Sequence, residues 1–359
     1  MLNLKTNYLP LLIFLLASCS NIQFEQNLNI LSETKAEVET QDTQFESFLA
    51  NQWDEGLKDN PIFASNLGDK RFNTKISSNS SGQFKINKAK EEKSLKELQL
   101  FNIELLNDEN KLNYKLAELS MLNSIERMNF PSYLMRLNQR GGIQSFYETG
   151  DRLVYTSKQD YEDWLTRLNS FVENIDNSLT NNKQGLELGY TQPKLVTRGV
   201  IAQISAIINS DIENHPYLKV FKNADESLMS SNEKTDLINR AKTLISNEIN
   251  PSYKRLHDFL KNEYLSTSRD SIGISDVPNG SKWYEVLSNY HTTTDLSPDE
   301  IHDIGLSEIK RIRSEMEKII SDLEWDGDFN SFLNYLRTSP RFYYDNPEDL
   351  FNAYLIMSK

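Results

Sequence analysis

Apolar side chains recur along this chain at intervals of three and four residues, the spacing that gathers them on one face of an α-helix. Phe45, Phe48, Leu49 and Trp53 open the pattern near Gln44. Asn60-Pro61 restarts it, carrying Phe63, Ala64 and Leu67 to Gly68, which suits the end of a helix. Thr74 to Gly82 is rich in Ser and Asn and reads as an exposed loop. Two helices follow between Lys85 and Asn129, broken near Asn107-Asp108. Leu95, Leu98, Phe101 and Leu105 form the stripe of the first; Leu112, Leu116, Leu119, Leu122 and Ile125 form that of the second.

Gln139 to Gly150 reads as an irregular linker, its Gly141-Gly142 pair as a turn. Thr156, with Gln159 three residues on, opens a helix with Tyr161, Trp164, Leu165, Leu168, Phe171 and Ile175 inward, and Asn177 to Gly189 reads as a polar connector. Gln192-Pro193 begins the next helix, with Val196, Val200, Ile204, Ile207 and Ile208 toward the core, and His215-Pro216 ends it. Ser230 and Glu233 make a capping box ahead of a long apolar run from Leu237 to Tyr264, which Pro251 must kink or split. No strand-like alternation, tandem repeat or heptad array competes with these helices. The fold class is all-α, packed as antiparallel helix layers.

The best-marked stretch runs from Asn279 to Met316. A short aromatic helix carries Trp283 and Tyr284; the polar Thr292-Thr293-Thr294 connector follows; then Ser297, Pro298 and Glu300 cap a long helix. A polar loop held in a rigid frame is a place for ligand contacts. Tyr284, His291, Thr292, Thr293 and His302 are the candidate substrate-binding residues. The long helix shows Ile301, Ile304, Ile309, Ile312, Met316 and Ile319 on its apolar face; Trp325 to Asp328 is a turn, Phe329 to Leu336 a short helix, and Asn346-Pro347 starts the last one.

Composition adds an address. Tyr8 to Leu16 is apolar but too short to span a bilayer, and it ends in Leu16-Ala17-Ser18-Cys19, a lipobox. Cys19 is the only cysteine among 359 residues, so its expected use is lipid attachment, palmitate included, and not an intramolecular disulfide. Residues 1–18 then form a lipoprotein signal peptide, 19–43 a flexible tether, and 44–359 the helical domain, the N-terminal part of a larger one. Ser20 after the cysteine points to the outer membrane of the cell envelope. The formal charge is −13; removing Lys5 with the signal makes it −14. That acidity argues against nucleic acid as a partner and leaves the membrane as a partner through the lipid alone.

Catalytic chemistry is sparse. None of the four histidines precedes a glutamate, and no pair has the spacing of two zinc ligands on one helix. His291 and His302 could meet in space, with Glu300 or Asp303 as a third ligand, but such residues are more often capping or surface groups, so no metal ligand and no catalytic residue is assigned. There is no Gly-x-Ser-x-Gly elbow, and no free cysteine remains once Cys19 is acylated.

Several motifs in order carry a resemblance. Ala64-Ser65-Asn66-Leu67-Gly68-Asp69-Lys70-Arg71-Phe72, then Asn250-Pro251-Ser252-Tyr253 with Leu256, Phe259 and Leu260, then Gly280 to Tyr284, the Thr292-Thr293-Thr294 run, Glu300 to Leu306, and Pro340-Arg341-Phe342 resemble a large bacterial family, the domain of unknown function 885. The resemblance implies a helical fold similar to zinc metallopeptidases of the gluzincin type. It also implies a longer protein whose zinc-binding His-Glu stretch lies in a C-terminal half missing here, so zinc is a cofactor of a full-length relative and none is expected in this chain. Three readings result: an inactive N-terminal part of a metallopeptidase-like envelope lipoprotein, a non-enzymatic helical lipoprotein that binds peptides or a protein partner, or an enzyme that assembles a metal site from His291 and His302. Under the first, Phe351, Tyr354 and Leu355 should lack cover.

Overall fold

A computed structural model describes residues 40–358. Cys19, the signal peptide and most of the tether lie outside the described residues. Helix dominates the rest; apart from helices and turns, the described residues contain two isolated bridges, Asn138 with Gly141 and Pro193 with Arg269. The class is all-α. Two compact units divide the chain, one ending at Val286 and the other starting at Leu287.

The first unit comprises α1 (40–59), α2 (Pro61–Asn66), α3 (Ser81–Leu98), α4 (Asp108–Arg127), α5 (Tyr147–Arg152), α6 (Lys158–Leu188), α7 (Lys194–Ile208), α8 (Lys219–Lys222), α9 (Ser231–Leu244), α10 (Asn250–Phe259), α11 (Leu265–Thr267) and the first turns of α12 (Gly280–Thr292). Its main core forms where α6 meets α7, α9 and α10. Trp164, Leu168, Phe171 and Ile175 pack there with Val200, Ile204, Leu237, Tyr253 and Leu256. Each such side chain contributes about 1.5–3 kcal/mol on leaving water. A second cluster joins α1, α3 and α4 through Phe45, Leu98, Leu106, Tyr114 and Met121.

Pro251 does not interrupt the helical run, which accommodates it by a specific device. One π-helical turn, Ile245–Ile249, precedes α10, in which Pro251 occupies the first turn. The wider turn accommodates the missing N–H without breaking the helix path.

Four local expectations change. Gln139 to Gly150 contains a 3₁₀ turn, Ile143–Ser145, and the start of α5. Ser157, not Thr156, caps α6, with Asp160 closing the box. Asn177 to Gly189 is no connector, because α6 continues to Leu188 before Gly189 ends it in the left-handed conformation at φ 80°. Its polar residues face the 77–79 loop: Asn174 Nδ2 donates to Ser77 O (3.0 Å) and Asn181 Nδ2 to Asn79 O (2.8 Å). That loop is consequently part-buried. On α4, finally, Asn110, Tyr114 and Met121 face inward, while Leu112, Leu116, Leu119 and Leu122 are exposed.

The second unit holds the rest of α12, α13 (Pro298–Asp322), α14 (Phe329–Thr338) and α15 (Pro347–Met357). Ser297 and Glu300 form the capping box anticipated for α13. Its apolar stripe does not become core: Ile320 is the buried residue of α13, whereas Ile304, Ile309, Ile312 and Ile319 are exposed. Phe351, Tyr354 and Leu355 on α15 are exposed as well.

Candidate binding cleft

Two polar regions compete as the functional site. The first is the loop singled out above. Tyr284 is half exposed, and His291, Thr292, Thr293 and His302 all face solvent. The threonine hydroxyls are engaged locally: Thr292 Oγ1 donates to Ser288 O (2.8 Å) and Thr293 Oγ1 to Thr292 O (2.7 Å). Thr293 adopts φ 56°, a left-handed conformation uncommon for a β-branched residue. The His291 ring meets Tyr290 edge-on. No group of three or more His, Cys, Asp or Glu among the described residues has the arrangement to hold a metal ion.

The second region lies under Ala64 to Phe72, and its residues come from two stretches of the sequence, 65–73 and 153–167. α2 ends in a Schellman motif: Gly68 takes φ 85°, and the Asp69 and Gly68 amides donate to Ala64 O (2.9 Å) and Ser65 O (3.0 Å). Asp69 then caps a 3₁₀ turn, Lys70–Phe72. These two turns aim Lys70 and the Phe72 carbonyl at α6. Lys70 Nζ donates to Asp160 Oδ2 (2.8 Å) and to Thr156 Oγ1 (2.8 Å). Asp160 also accepts from the amides of Thr156 (2.8 Å) and Ser157 (3.0 Å). Burial pushes its carboxyl up, but Lys70, Thr156 and Ser157 outweigh burial and hold it below the ordinary aspartate value.

Two turns further along α6 sits Arg167, 1 % exposed. Its Nη2 donates to Ser65 Oγ (2.9 Å) and Phe72 O (3.0 Å). These acceptors are neutral, and no ion pair joins Arg167 to a described carboxylate. Burial brings the guanidinium down to about 10, so it stays charged at neutral pH. Its Nε is buried without a partner among the described residues, as is the indole Nε1 of Trp164. Both residues line one cleft of about 320 Å³, with Leu67, Lys70, Val154, Tyr155 and Asp163 among its other walls. Gly150 makes room for the Trp164 ring, since a Cβ there would meet Trp164 Cζ2 at 2.7 Å.

Sequence reasoning placed Trp164 in the core stripe and passed over Arg167, Asp160 and Lys70. The available signal was an arginine set between Leu165 and Leu168, three residues after a buried tryptophan, where a cation is costly to bury.

The fold and this cleft define an all-helical protein with a desolvated cation at its most structured motif. Residues 61–357 match the family described as bacterial protein of unknown function (DUF885), and the chain belongs to that family. Among solved structures, the chain is similar to the crystal structure described as "the putative lipoprotein from Colwellia psychrerythraea". The two share 19 % identity and a TM-score of 0.72, over 90 % of this chain and 58 % of that one. The likeness is one of fold, and this chain spans just over half the length of that structure. No curated protein matches it.

Proposed function

We propose that the chain is the N-terminal part of a lipid-anchored envelope protein of metallopeptidase-like ancestry, attached through Cys19 and without peptidase activity by itself. The observation that carries this reading is the uncovered apolar surface of the second unit. Ile309 is 67 % exposed, Ile319 57 % and Phe351 63 %, although helix stripes of this kind normally face a core. Exposed apolar area of that extent favours association. The similar solved structure, described as a "putative lipoprotein", has further chain outside the matched part; in this reading a further part of this kind covers α13 and α15 and brings the zinc ligands.

The test is a sedimentation and peptidase experiment on the purified chain in mild detergent. Self-association is expected, and replacing Ile309 and Ile312 by Glu should yield a monomer with an unchanged helical spectrum. A monodisperse native monomer that hydrolyses peptides in a chelator-sensitive way would overturn the proposal. Cys19→Ser should leave unprocessed precursor and abolish lipid labelling.

A further inference from the structure

We infer that a second cleft of the first unit, the one lined by Arg136, binds a monocarboxylate with an apolar body, an aliphatic or aromatic acid. The site lies within the first unit alone and is independent of the proposal above. It has a volume of about 320 Å³ and forms where α2, the 76–79 loop, Arg136 at the end of the 3₁₀ turn Ser132–Met135, and residues 142–146 meet α6. Phe171, Asn174 and Ser178 give it one wall; spaced three and four apart, they share a face of α6. Phe146 stacks on Phe171, with ring centroids 4.1 Å apart and planes 13° from parallel. Ile62, Ile76 and Ile143 complete the apolar lining, and they and Phe146 are all only half-buried. Covering such surface is the usual driving force at a small-molecule site, and the volume is at the low end of ligand pockets.

Charge selects the ligand. The polar side chains of the wall are spent on one another: Asn79 Nδ2 donates to Asn174 O (2.9 Å) and Ser178 Oγ (2.9 Å), and Asn174 Nδ2 to Ser77 O (3.0 Å). Arg136 is different. It is exposed, and among the described residues it makes no hydrogen bond or ion pair. Surrounding protein desolvates its guanidinium and lowers its pKa below the ordinary arginine value, with no carboxylate acting against that. An exposed cation that protein still desolvates lies in a concavity, not on a convex face. Among the described residues lining the cleft, Arg136 is the charged one, in a chain of net charge −13. A neutral ligand would desolvate the guanidinium further and return nothing. A carboxylate can take both parallel N–H bonds of its fork, while its apolar body covers Ile62, Ile76, Ile143 and Phe146. A phosphate dianion would bring a second charge with no second cation to meet it, against walls without free donors.

The experiment labels the isoleucine δ1 methyl groups of the full chain with ¹³C. The Ile62, Ile76 and Ile143 resonances report the cleft, each assigned by its loss in Ile62→Leu, Ile76→Leu or Ile143→Leu. The probes are phenylacetate, its neutral isostere phenylacetamide, octanoate and inorganic phosphate. An acid should move these methyl resonances saturably, with phenylacetamide about tenfold weaker than phenylacetate or worse. Tighter binding of octanoate identifies an aliphatic acid as the ligand; tighter binding of phenylacetate identifies an aromatic one. Equal binding of phenylacetate and phenylacetamide, phosphate moving the same resonances as strongly, or resonances that stay put at about 10 mM of both acids, far above ordinary site affinities, overturns the inference. Arg136 has no described partner to lose, so Arg136→Gln should fold as the native chain does. It should weaken acid binding about tenfold and leave phenylacetamide unchanged. Arg136→Lys keeps the charge without the fork and should fall between. Native acid affinity in Arg136→Gln would remove the guanidinium from the site and overturn the inference.

Discussion

The Thr292–Thr294 turn and the Arg167 cleft are both polar, and the difference between them is desolvation. In the turn, hydroxyls bond to neighbours one to four residues away, and the side chains face water. In the cleft, α2, the 3₁₀ turn at Lys70–Phe72 and α6 converge, so an aspartate and an arginine lose water, while Lys70, still half exposed, reaches in to pair with the aspartate. A charge in water interacts weakly with anything that approaches; the same charge out of water interacts several times more strongly. Polarity along the sequence marks where the chain is wet. Chemistry needs polar groups that long-range packing has dried.

The largest expected effect follows directly. Arg167→Met removes the donor to the Ser65 hydroxyl and one of the two donors to the Phe72 carbonyl, which keeps the Lys75 amide (2.9 Å), and relief of the buried charge offsets only part of that. The variant should lose about 3 kcal/mol in urea unfolding. His302→Ala, in the exposed region, should stay within about 0.5 kcal/mol. Equal losses would erase the distinction between the two regions. Next comes Gly150→Ala. A Cβ there meets the Trp164 ring at 2.7 Å and Val220 Cγ2 at 2.9 Å, so overpacking should cost roughly 1–3 kcal/mol and move the Trp164 indole resonance. Gly305→Ala in α13 meets nothing within 4 Å and should stabilise by up to about 1 kcal/mol.

Legibility divides along the same line. Local chemistry was readable: Ser297 with Glu300, Ser230 with Glu233, Asn60 before Pro61 and Gly68 all act as their types suggest. The Trp164-to-Ile175 stripe is core as its period implies. What failed depended on partners far away. Ser178 and Asn181 resemble a connector until the 77–79 loop is placed against them. The leucines of α4 fit a core stripe, yet the packed face carries Tyr114 and Met121 against Phe45, and a 3.6-residue period cannot say which of two faces finds a partner. The family motif at Ala64 to Phe72 was visible, but its use, presenting Lys70 and the Phe72 carbonyl to α6, was not, because Asp160 and Arg167 lie about a hundred residues on.

Two capping boxes allow a matched comparison. Asp160 closes the box of α6 from a buried position, and Glu300 closes that of α13 in full solvent. Hydrogen bonds from Ser297 hold Glu300 below the ordinary glutamate value; for Asp160, Lys70, Thr156 and Ser157 do so against burial. With the folded pKa lowered, each carboxylate stabilises the fold above its unfolded pKa, and the contribution is lost as pH falls through the folded value. Asp160→Asn should cost about 1–2 kcal/mol near neutrality, a gap from the native chain that narrows below about pH 4. Glu300→Gln should give a smaller drop in Tm, further reduced by salt. A gap for Asp160→Asn that stays constant down to pH 2 would mean its charge contributes nothing.

The smallest effect tests whether the threonine turn has any claim left. Thr293 holds φ 56°, and a β-branched residue there carries a penalty of roughly 1–2 kcal/mol. Strain of this kind persists when surroundings impose it, and it gathers at functional sites. The Thr293 hydroxyl reaches no further than the adjacent Thr292 carbonyl, in full solvent. Asn enters the left-handed region readily without the unfolded-state entropy that Gly adds. If the strain is merely the geometry of a turn, Thr293→Asn should stabilise the chain by about 0.5–1 kcal/mol. Thr293→Val keeps the branch, loses the hydroxyl and should gain nothing. A destabilised Thr293→Asn would show that the threonine side chain makes a contact worth more than its strain, and the turn would stand again beside the cleft as a site.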